Sequence, residues 1–197
     1  MKAFENVTNK TYTFSSCELC EAQCCNGAMG STFSQILLDE FKTIAPYFPI
    51  LFIKGNLGYL KAVVLLSDGK VHCPYITDMK CTIYENRPSV CRTYPLSTNI
   101  DNQIYIDTNC PAINEEGVDI VKEGKITKEF DQENLHNYKD KFINTHLYLE
   151  KFNKEENLTE LFTINSEIFY SLKNGVDDEI IKYHHQSLKH FEKEYYN

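Results

Sequence analysis

Apolar positions follow two regimes along the 197-residue chain. In the first half they come as short runs broken by turn residues. There, Thr32 and Gln35 read as a capping box that opens a helix. Ile36, Leu37, Phe41 and Ile44 would line one side of it, and it would end before Pro46. Tyr59 to Leu66 and Val71 to Tyr75 flank the segment Ser67-Asp68-Gly69-Lys70, which predicts a β-hairpin. Gln103 to Asp107 alternates as a further strand. Beyond residue 111 the spacing predicts helices. One spans about Thr127 to Phe152. A second spans about Thr159 to Lys173, carries Leu161, Ile164, Ile168 and Leu172, and stops at Asn174-Gly175. A third starts near Asp177, with Ile180, Ile181, His184, Leu188, Phe191 and Tyr195 as its apolar stripe. The expected fold class is α+β. A small cysteine-rich core with a β-hairpin and short helices is followed by a C-terminal helical region. Residues 1–110 form the cysteine-bearing part, and residues 111–197 form helices packed on it as one compact unit.

Charge divides the chain at the same place. Residues 1–110 carry a net charge of −1 and residues 111–197 a net charge of −7. The overall −8 argues against a nucleic-acid partner. The apolar stretch Ile44 to Ile53 is cut by Pro46 and Pro49, far short of the roughly 18 residues of a membrane span. The N-terminal MKAFENVTNKTYTF has no apolar core, so a secretory signal is not expected and the chain reads as cytoplasmic.

All eight cysteines lie between Cys17 and Cys110. Disulfide scaffolds belong to oxidising compartments and to chains too small for a core. Cys24 and Cys25 are adjacent and could bridge only through a strained ring. Buried core thiols would explain one or two cysteines, but not Cys17, Cys20, Cys24 and Cys25 within nine residues. Thiolate ligation of a metal accounts for the density, since a cation stabilises clustered thiolates. The expected ligands are Cys17, Cys20, Cys24, Cys25, Cys73, Cys81, Cys91 and Cys110. Eight thiolates match two four-thiolate sites, or one site with four auxiliary cysteines. Zinc and iron–sulfur clusters both accept such a set. Glu21 stands where zinc knuckles usually place glycine, which tilts the reading toward iron–sulfur, a 4Fe-4S cluster included. His72 is expected to face away from its neighbour Cys73.

The run Cys17-x2-Cys20-x3-Cys24-Cys25 is followed by Cys73 and then by Cys81-Thr-Ile83-Tyr84-x2-Arg87-Pro88-x2-Cys91-Arg92-x-Tyr94-Pro95. This pattern resembles the bacterial CxxCxxCC family of zinc- or iron-chelating proteins, the YkgJ-like cysteine-cluster proteins. The resemblance covers about residues 17–96 and implies metal binding through the cysteines. The same signature occurs in flagellin lysine N-methylases, which implies S-adenosylmethionine as a further possible cofactor and a protein lysine as substrate. No glycine-rich nucleotide loop accompanies it. Arg87 and Arg92 bracket Cys91 and are expected to offset thiolate charge by hydrogen bonding around the cofactor.

Three functions follow as expectations. The first is a metal-binding protein holding one or two iron–sulfur clusters, or zinc. The second is a methylase-like enzyme using S-adenosylmethionine. The third is a zinc-stapled module that contacts a protein partner through its acidic helices. If the chain is an enzyme, the expected activity is methyl transfer or redox, but no catalytic residue stands out.

Overall fold

The computed structural model describes residues 2–17, 20–173 and 178–194. In chain order the strands are β1 (Phe4–Asn6), β2 (Tyr12–Phe14), β3 (Phe33–Gln35), β4 (Ile50–Lys54), β5 (Leu60–Leu65), β6 (Ile76–Thr77), β7 (Lys80–Cys81), β8 (Leu96–Thr98), β9 (Ile104–Asp107), β10 (Val118–Lys122), β11 (Lys125–Ile126), β12 (Leu158–Ile164) and β13 (Glu167–Leu172). The α-helices are α1 (Phe41–Ile44), α2 (Ser89–Thr93), α3 (Tyr138–Leu149) and α4 (Glu179–Glu194). The fold is mixed α and β, with several antiparallel sheets and a C-terminal helix.

The main sheet has the order β12-β13-β4-β5-β3. Its central strands are apolar on both faces. Side chains alternate across a strand, so one apolar run can supply two cores. Ile50 and Phe52 of β4, with Leu60, Ala62 and Val64 of β5, face a core closed by Phe41, Ile44, Leu149 and Ile181. Leu51, Ile53, Val63 and Leu65 face the other way, toward Phe169 and Phe162. A separate core sits between the sheets β1-β9-β8 and β11-β10-β2. It is built from Val7, Tyr12, Leu96, Ile106, Ile120 and Val121.

Several elements differ from the sequence expectation. Phe33–Gln35 is an edge strand paired to β5, so the Thr32–Gln35 capping box opens no helix there. Leu37 N–H is instead held by Glu40 Oε2 at 3.0 Å, and the short helical turn follows at Phe41. β5 pairs with β4, its upstream neighbour, and not with residues 71–75. The reason is local. Asp68 Oδ1 accepts from Lys70 N–H (2.8 Å) and Val71 N–H (3.0 Å), and this turn leads the chain away from β5.

The second expected helix is in fact the hairpin β12–β13. Asn165 and Ser166 both take positive φ (50° and 68°), as a two-residue hairpin turn requires. The first expected helix shrinks to α3, since Asn137 (φ 51°) breaks the path immediately before it. The third is present as α4. Asp177, Tyr195 and the Asn174-Gly175 stop lie outside the described residues.

α4 is anchored at its start by Asp178, whose Oδ1 accepts from Ile180 N–H (3.0 Å) and Ile181 N–H (3.2 Å). The same carboxylate accepts from the Tyr148 hydroxyl on α3. Asp178→Ala is expected to cost about 1 kcal/mol, the usual worth of such a cap. A lower urea midpoint with an unchanged slope would show it.

Candidate functional site

The cysteine loop is assembled from tight turns. Cys20 N–H reaches Cys17 O at 3.3 Å, and Ala22 takes a left-handed conformation (φ 49°). A 3₁₀ turn then carries Gln23, Cys24 and Cys25. Next the chain lies antiparallel against residues 71–73. Asn26 bridges His72, Cys73 N–H donates to Cys25 O at 2.7 Å, and Gly27 N–H donates to Val71 O at 2.8 Å. This register sets Cys25 opposite Cys73. Gly27 has to be glycine, because a Cβ there would stand 2.2 Å from Val71 O.

Two further segments close on this loop. Beyond Cys73, β6 and β7 form a small hairpin with Ile76 opposite Cys81. Asp78 and Met79 turn it with positive φ (50° and 59°). Cys91 sits on α2. The start of that helix is fixed by Ser89 Oγ donating to the buried carboxylate of Glu40. Burial pushes the Glu40 carboxyl above its ordinary value. Cys110, at 6 % exposure, belongs to the second core, whereas Cys73 and Cys91 pack against the first. The thiols therefore lie where the two cores meet.

Cys24 is the hub of the group. Its sulfur is 3.6 Å from that of Cys25. It is also an electrostatic neighbour of Cys17, Cys73, Cys91 and Cys110. All eight cysteines are free. The hydrogen bond to Cys25, and then burial, push the Cys24 thiol far above the ordinary range. Burial pushes Cys73 up to about 11 and Cys91 up to about 12. These buried thiols hold their protons at neutral pH.

Arg87 stacks 3.4 Å over the Tyr84 ring and donates from Nε to Tyr84 O at 2.7 Å. From there its charge favours the thiolate forms of Cys17 and Cys91. Arg92 is exposed on α2. His72 lies on the bridge to Asn26.

The sequence reading missed Lys2 and Asp107. Lys2 Nζ donates to Ser31 Oγ at 2.9 Å, lies 4.9 Å from the Tyr94 ring centroid, and acts electrostatically on Cys24. Asp107 is 1 % exposed. Its Oδ1 accepts from Ala3 N–H (2.9 Å) and Asn109 N–H (3.2 Å), and its Oδ2 accepts from the Tyr94 hydroxyl (3.0 Å). An aspartate ending the strand pattern of QIYID was a visible signal for it, because a carboxylate there must find donors. Nothing in the sequence signals Lys2.

Two clefts flank the cysteine loop. One, of about 440 Å³, is lined by Ser15, Ser16, Cys20, Pro111, Glu115 and Glu116. The other, of about 250 Å³, is lined by Lys2, Gln23, Cys24, Met29, Tyr94 and Asn109, with Gly30 and Asp107 completing its wall.

Taken together, fold and site describe a mixed α/β protein with a thiol-rich seam between two apolar cores. The chain belongs to the SapC family, whose model matches residues 16–167. No solved structure matches it.

These findings overturn the expected family and function. The family is SapC, not the CxxCxxCC or YkgJ-like cysteine-cluster proteins and not the flagellin lysine N-methylases. Among the described residues, no three histidine, cysteine, aspartate or glutamate side chains are grouped so that they could hold a metal ion. The thiols are electrostatic neighbours, but no three of them are grouped in that way. The iron–sulfur and zinc readings therefore fall, and so do the methylase-like alternative that the resemblance implied and the zinc-stapled alternative read from the cysteines and acidic helices. Among the described residues, no helix is long and apolar enough to cross a membrane.

Proposed function

We propose that this chain works by reversible thiol–disulfide chemistry centred on Cys24. The observation that carries this reading is the position of Cys24. It touches the Cys25 sulfur and interacts electrostatically with thiols of three other chain segments. Exchange proceeds by thiolate attack on a disulfide sulfur, so the raised proton affinity of Cys24 makes its exchange slow at neutral pH and faster as pH rises. The co-reactant is a low-molecular-weight disulfide. Two protein S–H bonds and its S–S bond are lost, one protein S–S bond forms, and the two protons leave on two small thiols. A cytoplasmic location suits this reading, because disulfides there are mostly transient and redox-sensing.

The test is thiol counting by intact mass over a graded series of reduced and oxidised glutathione. The expected result is loss of thiols in pairs, mapped to peptides that contain Cys24 or Cys25 and Cys73, Cys91 or Cys110, and restored by reductant. Alkylation before oxidation is expected to label exposed Cys17 before buried Cys110. Buried-thiol labelling should rise about tenfold per pH unit below the thiol's own range. Retention of all eight thiols across the series would end the proposal.

A further inference from the structure

We infer that the cleft beside Cys24 is a binding site for a small anionic thiol, one carrying a carboxylate or sulfonate, which reduces the cluster. This rests on the thiol–disulfide reading and names the reductant it uses.

The cleft is the one that opens onto the hub sulfur. Its volume of about 250 Å³ suits a ligand of a few heavy atoms near the sulfur, with the rest of the molecule outside. Cys24 forms part of its lining. Lys2 supplies its positive charge. Among the described residues Lys2 forms no ion pair, and its ammonium donates to the neutral Ser31 hydroxyl. The ammonium also lies 4.9 Å from the centroid of the Tyr94 ring, which lines the same cleft. Asp107 also lines the cleft, and its oxygens accept from Ala3 N–H, Asn109 N–H and the Tyr94 hydroxyl. Gln23 and Asn109 add side-chain amides at the rim, and Met29, 51 % exposed, adds an apolar edge.

The chemistry runs in one direction from this cleft. The small thiolate attacks the Cys24 sulfur of a protein disulfide. The bond to the other cysteine breaks, and that cysteine leaves as thiolate and takes up a proton. A second small thiol then attacks the mixed disulfide and frees Cys24 as a thiol. The balance is two small thiols oxidised to one small disulfide and one protein disulfide reduced to two thiols. Cys24 is the attacked sulfur because it is the cysteine that lines this cleft.

The experiment oxidises the full chain and follows its reduction by three thiols of different charge: 2-mercaptoethanesulfonate, 2-mercaptoethanol and cysteamine. Rates are compared per thiolate. Attraction across several ångströms of solvent-exposed cleft is worth roughly threefold per unit of charge, so the anionic thiol should outrun the cationic one by about tenfold at low salt. High salt should erase the difference. Lys2→Glu should remove or reverse the order while the melting temperature stays near that of the parent chain. Trapping with the sulfonate thiol should leave its adduct on Cys24. If disulfides form but are reduced at rates set by thiol basicity alone, or the adduct forms elsewhere, this inference falls and the thiol–disulfide reading stands. If no disulfide forms at all, both fall together.

Discussion

His184→Ala is expected to remove about 3–5 kcal/mol of stability. The ring is fully buried, and it ties three elements together. Its Nδ1 lies 2.7 Å from Ile50 O on β4, and its Nε2 accepts from Leu172 N–H at 3.1 Å on β13. A carbonyl can only accept and an amide N–H can only donate, so the proton sits on Nδ1. Alanine would leave two buried backbone groups unpaired, at about 1–3 kcal/mol each, and a cavity against Phe52, whose ring centroid is 4.9 Å away. His184→Gln, which can both donate and accept, should recover part of the loss.

The same geometry sets a pH dependence. Burial lowers the His184 pKa from 6.5 to about 4. The unfolded chain therefore binds the proton more readily than the folded one. The stabilisation is fully present above about pH 6.5 and is lost as pH falls toward 4, for a total of about 3 kcal/mol. Glu40 acts in the opposite sense. Its raised value favours the fold when the carboxyl is protonated, below its ordinary 4.5. The clean measurement is the difference in urea midpoints between the parent chain and His184→Gln from pH 7 to pH 4. The two curves should converge in acid. A constant gap would show that the ring is held by packing alone.

The second large effect concerns oxidation. A bond from Cys24 or Cys25 to Cys73 would close a loop of roughly fifty residues. The register of the Asn26–His72 bridge already brings the Cys25 and Cys73 backbones side by side, through a 2.7 Å hydrogen bond. Cross-strand neighbours of this kind stand about 5.5 Å apart at Cα, within bridging reach. Loop-closure entropy for such a length is worth about 4 kcal/mol. In a chain of this size that corresponds to a melting temperature higher by roughly 10 °C in the oxidised form. Cys73→Ser should abolish the gain from this loop and leave the reduced protein near its original stability. An oxidised form no more stable than the reduced one would mean that the bond strains the seam as much as it restrains the unfolded chain.

What could be read from the sequence depended on whether local pattern or distant pairing decides a segment. The strand Gln103–Asp107 and the helix after Asp177 were legible, because each has one buried face and a clear stop or start. The segment 158–172 was not. Leu161, Ile164, Ile168 and Leu172 fit a helical stripe, yet the same stretch is rich in Thr, Ile, Phe and Tyr, and Asn165-Ser166 is a turn. Pairing of Tyr170 with Phe52 joins it to the central sheet and decides the outcome. The cysteines were conspicuous, but their partners were not. Spacing shows how many thiols are near in sequence. Only the bridge at residues 26 and 72 and the placing of α2 bring the distant ones alongside, and the count alone suggested a metal that their arrangement does not surround.

The pairing of Ile50 with His184 also fixes an order of events during synthesis. These residues are 134 positions apart, so the contact between β4 and α4 can form only after nearly the whole chain has been made. At about 5–20 residues per second, the ribosome needs roughly 4–15 s to travel from Cys110 to His184. For that interval every cysteine has been made while the sheet that shelters the seam is still incomplete. The nascent chain is therefore most open to wrong disulfides before it can be folded, and a reducing surrounding at that moment matters more to the yield of correct protein than at any later time.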